Sequence, residues 1–202
     1  MQKSNVVRDG AGWETVSSEE HFATPHLTVV TDEVRTPSRP GSRKWTVVQR
    51  KAAVVIAAMT RDGKFVLVLQ ERIPIRAALW EMPAGQIDET KEPDDEAVRK
   101  VALRELCEET GYELALEGSL TSLGYYFSSP GFTDEHAYFF LARPVQKTTE
   151  RQPHDSGEAI LDSREFSADL LRQMIAGNEI RDANTLSIWA RLVARGEVAG
   201  LA

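Results

Sequence analysis

Three carboxylates crowd one short segment of the chain, Arg104-Glu-Leu-Cys-Glu-Glu-Thr-Gly-Tyr112. Glu105, Glu108 and Glu109 are spaced i, i+3 and i+4, so on a helix their side chains share one face. Like charges at that spacing weaken a helix by roughly a few tenths of a kcal/mol per pair. A cation between them removes the penalty, and a divalent metal ion is the natural candidate. A helix over residues 93–110 would carry an apolar stripe through Val98, Val101 and Ala102. At about 100° per residue, Glu105 and Glu109 fall on that stripe, each within about 20° of Val98. The face that should point inward therefore ends in two carboxylates, and buried carboxylates are paired or bind metal. A solvated acidic face would leave the stripe, the neighbouring Arg104 and the Gly111 stop unexplained.

The elements that must position these groups follow from local pattern. Residues 1–43 read as an N-terminal extension: a polar start, an alternating run over 26–34 that predicts a strand, and a turn-rich connector over 36–42. Residues 44–59, dense in Val, Ile and Ala, predict two strands. Arg61-Asp-Gly63 predicts a turn and residues 64–70 the next strand. Trp80-Glu-Met-Pro-Ala-Gly85 ends an extended piece in a Pro/Gly loop. The acidic helix is entered through Pro93, with Asp94 and Asp95 where negative charge suits the helix dipole. Strands are expected over 120–127 and 136–142 around the loop 128–135. A polar loop over 146–157, a short strand near Ala159 and helices over 167–176 and 184–194 complete the chain. Strands flanked by scattered helices predict a compact α+β or α/β/α layered domain over residues 44–202.

Composition narrows the function classes. At 202 residues the chain can bury a full core. Its net charge is −7, with no Lys/Arg-rich block to track a phosphate backbone, so polymeric nucleic acid is not an expected partner. A protein this acidic needs local positive charge to handle an anionic substrate, which again suggests metal ions. The lone Cys107 excludes an internal disulfide and fits a reducing compartment, the cytoplasm; its helical position suggests packing. No apolar run approaches membrane-spanning length, so no membrane partner is expected.

Residues 85–112 resemble the Nudix box, the loop-helix-loop signature of hydrolases that cleave nucleoside diphosphates linked to another moiety. The second half matches closely through Arg104, Glu105, Leu106, Glu108, Glu109 and Gly111, with Tyr112 where an aliphatic residue is usual. The first half departs, because the interval from Gly85 to Arg104 is five residues longer than the family spacing. Spacing to Arg104 selects Glu96 as the first box glutamate, whereas the context beside the proline selects Glu92. Three further segments are similar to the ADP-ribose pyrophosphatase branch: Gln70-Glu-Arg72, Ser129-Pro-Gly-Phe-Thr-Asp-Glu135 and Ile180-Arg-Asp-Ala-Asn-Thr185. The resemblance covers about residues 25–195. It implies a Nudix fold, a mixed β-sheet sandwiched between α-helices, with a small N-terminal β extension serving as a dimerisation element of a homodimer.

The resemblance also implies roles. Glu105, Glu108 and Glu109 would be metal ligands together with the backbone carbonyl of Ala84, holding Mg2+ with Mn2+ as a substitute. Arg104 would anchor the acidic cluster, and Glu108 would serve as a third ligand or an orienting group. The general base would come from a loop holding Glu150, Asp155 and Glu158, of which Glu158 is favoured by its place before the short strand. Arg50, Arg72, Glu81 and Glu135 would contact a small nucleotide-sugar substrate. Trp45 could stack on a base or pack, while Trp13 and Trp189 are expected to be structural. The implied reaction is divalent-metal-dependent hydrolysis of ADP-ribose to AMP and ribose 5-phosphate. The alternatives are cleavage of UDP- or GDP-sugars at the same centre, or a Nudix-fold sensor that binds without cleaving.

Overall fold

The protein is described from a computed structural model covering residues 9–88, 93–149 and 159–198. Strands β1 (Glu14–Ala23), β2 (Leu27–Thr36) and β3 (Arg39–Arg50) form a three-stranded antiparallel sheet. A second sheet begins with β4 (Ala53–Thr60), β5 (Lys64–Arg72), β6 (Ala77–Glu81) and β7 (Ala84–Gln86). Helix α1 (Asp95–Thr110) follows, then β8 (Tyr112–Phe127), β9 (His136–Lys147) and β10 (Ile160–Ser167). Helices α2 (Ala168–Ala176) and α3 (Ala183–Ala194) come last. The second sheet runs β10-β5-β4-β9-β8, with β6 on β5 and β7 on β4. Among the described residues of this sheet only β4 and β9 pair in parallel; the sheet is mixed, as expected.

Strand β4 is apolar without alternation because both of its faces are buried. Val55 and Ala57 join Phe65, Leu67, Leu171, Ile188 and Trp189 on the side of α2 and α3. Val54, Ile56 and Ala58 meet Val98, Val101, Ala102 and Leu106 of α1 on the other. The architecture is the α/β/α sandwich of an α+β protein. Among the described residues, no helix is long and apolar enough to cross a membrane.

One irregularity of the sheet positions everything that follows. Strand β5 pairs with β4 only at Phe65 and Val66, then turns to β6 from Val68 onward. Strand β4, left open there, takes β7 at Ala53, Val54 and Val55. The sheet forks, and Met82-Pro83 crosses the gap between β6 and β7. Pro83, which has no N–H to leave unpaired, accepts a hydrogen bond at its carbonyl from Ile56 N–H (2.9 Å).

Several boundaries differ from the sequence expectation. Strand β1 was not expected, because all but one of its residues are exposed and it shows no apolar alternation. Only Pro37 and Ser38 turn in the expected connector; β3 begins at Arg39 and runs through residue 43 to Arg50. Strand β10 spans eight residues where a short strand was expected, supported by the register Ile160 to Ser167 against Gln70 to Lys64. Trp189 is buried against Phe65, as expected of a structural residue. Trp13 is 51% exposed and lines a cleft instead of packing in the core.

Candidate active site

Helix α1 starts where its cap permits. Asp94 accepts a hydrogen bond from Ala97 N–H (2.8 Å), with Asp95 and Glu96 in the first turn, and Gly111 closes the helix at φ 71°. Its inward face carries Val98, Val101 and Ala102, then Glu105 at 8% exposure and Glu109 at 3%. The stripe thus does end in two buried carboxylates. Arg104 offers Nη2 to Glu105 (2.6 Å) and Nη1 to Glu108 (2.6 Å). Partial burial opposes the guanidinium charge, but the two carboxylates outweigh it and hold its pKa above the ordinary value. Arg104 is thus paired with two carboxylates of the cluster, Glu105 and Glu108. Glu109 is met from the other side, where its Oε2 accepts from Ala84 N–H (2.9 Å).

The loop after the fork is fitted to these carboxylates. A Cβ on Gly85 would lie 2.0 Å from Glu105 Cδ and 2.2 Å from its Oε1, so only glycine lets the carboxylate rest over the backbone here. The donor set, carboxylate oxygens beside a bare stretch of backbone, is of the oxygen type that hard divalent cations prefer. Among the described residues no three acidic, His or Cys side chains converge as a ready metal cage. Arg104 draws Glu105 and Glu108 to itself, and Ala84 N–H holds Glu109. The residues fit a cation in kind, with Arg104 occupying the electrostatic role in the present arrangement.

The four proposed substrate contacts are brought together as two ion pairs. Glu81, 1% exposed at the end of β6, accepts from Arg72 Nε (3.0 and 3.2 Å) and Nη2 (2.6 Å). Arg50 Nε lies 2.8 Å from Glu135 Oε1 without hydrogen-bond alignment, and Ser128 donates to Glu135 Oε2 (2.6 Å). Trp45, 61% exposed, donates from Nε1 to Gly131 O (2.9 Å). Val48 N–H donates to Phe132 O (2.8 Å), so loop 128–135 ties the N-terminal sheet to the body. A cleft of about 640 Å³ opens beside this loop, lined by Trp13, Asp32, Arg43, Trp45, Phe132 and Asp134, among others.

Glu92, Glu150, Asp155 and Glu158 lie outside the described residues, and Glu96 is exposed in the first turn of α1. Sequence reasoning passed over Asp134, whose Oδ1 accepts from Arg50 N–H (2.8 Å). Burial pushes its carboxyl above the ordinary value. The two residues are 84 apart, and no local signal could have joined them.

A carboxylate-tipped helix is thus seated over a glycine loop at the fork of a sandwiched sheet. The sequence matches the NUDIX domain over residues 49–186, more than half of the chain, and the chain belongs to that family of pyrophosphohydrolases. The family's hydrolases generally use divalent metals. An ADP-ribose pyrophosphatase of Bacillus subtilis (strain 168) is 30% identical over 172 residues, 85% of this chain and 88% of that protein. A methanol dehydrogenase activator of Bacillus methanolicus is 32% identical over 173 residues, 86% and 88% of the two chains. The crystal structure of an ADP compounds hydrolase superposes with a TM-score of 0.67 at 16% identity, covering 92% of this chain and 97% of that one, a likeness of fold.

Proposed function

We propose that this chain hydrolyses the pyrophosphate bond of ADP-ribose to AMP and ribose 5-phosphate, using Mg2+ with Mn2+ as a substitute. The observation that carries this is the complete acidic face of α1, Glu105, Glu108 and Glu109, seated over a loop whose glycine leaves it room. A non-cleaving sensor has no need of three carboxylates held together against their own repulsion. The B. subtilis relative supports the choice of ADP-ribose.

Glu105, Glu108, Glu109 and the Ala84 carbonyl would hold the cation. When bound, it supplies charge neutralisation at the phosphates and a water of lowered pKa. The chain's own groups do the rest. Arg104 holds Glu105 and Glu108 in place by charge-assisted hydrogen bonds, and Ala84 N–H holds Glu109. Glu158 accepts the proton of the attacking water. Arg72 and Arg50 offer guanidinium donors to phosphate. Their partners Glu81 and Glu135 hold the donors in place and accept from ribose hydroxyls. At net charge −7 the chain gives an anionic substrate no long-range attraction, so these local cations must supply it. The protein works as a homodimer in the cytoplasm. Support comes from the long exposed strand β1 at the edge of the N-terminal sheet, which invites a partner, and from a single thiol that suits a reducing compartment.

Product analysis with ADP-ribose, UDP-glucose, GDP-mannose and NADH, each with magnesium and with EDTA, is the test. Magnesium-dependent release of AMP with the highest kcat/KM on ADP-ribose is expected. A higher kcat/KM on another sugar nucleotide keeps the centre and replaces the substrate. Tight ADP-ribose binding without turnover of any compound would make the protein a sensor.

A further inference from the structure

The segment Ile180-Arg-Asp-Ala-Asn-Thr185 has no part in the chemistry above, yet it reaches the site. Thr185 is fully buried, and its hydroxyl accepts a hydrogen bond from Met82 N–H (2.9 Å) across 103 positions of sequence. The same hydroxyl donates to Asp182 Oδ2 (2.8 Å), which also accepts from Thr185 N–H (2.7 Å) as the cap of α3. Capping the helix needs only the bond to the N–H. The bond to the hydroxyl commits its single proton to Asp182 and leaves its lone pairs for Met82.

Met82 is a demanding place for such a bond. It lies between β6 and β7, where the sheet forks and Met82 stands outside both strand ladders, and it is buried. Its N–H would otherwise be a buried donor without a partner, a costly state for a backbone amide. Two residues further, Ala84 N–H holds Glu109, and Gly85 lies beneath Glu105. A second tether, from the Tyr126 hydroxyl to the Asn184 side chain, fixes the start of α3 to β8.

We infer that Asp182 and Thr185 are positioning residues, a latch that holds the Met82-Pro83 crossing and so sets Ala84 and Gly85 against the carboxylates of α1. The inference rests on the acidic face being the cation site. It assigns to the C-terminal helix a role in forming that site, acting through the loop.

Two readouts test it without reference to any nucleotide: amide hydrogen exchange over residues 79–87 in cation-free protein, and Mn2+ binding. Thr185→Val keeps the shape and deletes the hydroxyl. It is expected to speed exchange at Met82 and Ala84 selectively and to weaken Mn2+ binding by about tenfold. Thr185→Ser is expected to restore both, and kcat on ADP-ribose should fall more than KM rises in Thr185→Val alone. Faster exchange with unchanged Mn2+ affinity would overturn the inference, as would exchange that rises uniformly along the chain. Should Thr185→Val fail to fold, Asp182→Asn decides. It leaves the threonine but removes the charge that orients it, and a smaller loss of Mn2+ affinity is expected; no loss would overturn the latch. Failure of the unsubstituted chain to cleave ADP-ribose would count against the substrate assignment only.

Discussion

Glu105 and Glu109 occupy positions that a helix of this stripe would normally fill with valine or leucine. Each is sustained by a particular neighbour, Arg104 for one and Ala84 N–H for the other. Charge, more than shape, is what these side chains provide. Glu105→Gln and Glu109→Gln are therefore expected to fold with little change in Tm. Turnover should fall by about 10³-fold, since the charge neutralisation they sustain is worth several kcal/mol at about 1.4 kcal/mol per decade. Full magnesium-dependent turnover by Glu105→Gln would remove it from the site. Gly85→Ala acts by crowding: a methyl group cannot occupy the place of Glu105 Cδ. The loop must shift at a cost of about 1–3 kcal/mol, and activity should be lost along with Tm. Asp134 behaves differently because burial raises its carboxyl pKa above the usual 3.8. The folded state is penalised for that charge at neutral pH, and the penalty fades as pH falls through the raised value towards 3.8. Asp134→Asn, which still offers an oxygen to Arg50 N–H, should melt higher than the parent near pH 7, and the gap should close in acid.

At the scale of elements, α1 is defined from both ends by chemistry that is readable in the sequence. Asp94 caps it and Gly111 closes it. Asp94→Ala is expected to cost about 1 kcal/mol, seen as a Tm lower by a few degrees at undiminished kcat in the folded fraction. The doubly buried β4 and the helix stripe were legible because periodicity reports burial. Strand β1 was not, since it buries almost nothing and its partner β2 supplies the only reason for it to be extended. The cluster Glu105, Glu108, Glu109 and Arg104 was legible for the same reason that α1 was: all four lie within six consecutive positions. The pairs Arg72–Glu81 and Arg50–Glu135 depend on strand register and on a loop 85 positions distant, which no local spacing encodes.

At the scale of the molecule, two sheets meet through loop 128–135, which touches β3 by backbone and by Trp45. Sedimentation velocity is expected to find two chains associated; a monomer at micromolar concentration would withdraw the dimer. The hydrogen bond between Met82 and Thr185 has a further consequence, one of timing. Synthesis delivers the chain from its N-terminus, and folding follows that order. The forked strands and the whole acidic helix leave the ribosome while the residue that fastens Met82 has yet to be translated. A transcript truncated before α3 would encode every residue of the Nudix box and still leave Met82 N–H without its Thr185 partner, so the inferred latch closes only once α3 has been made.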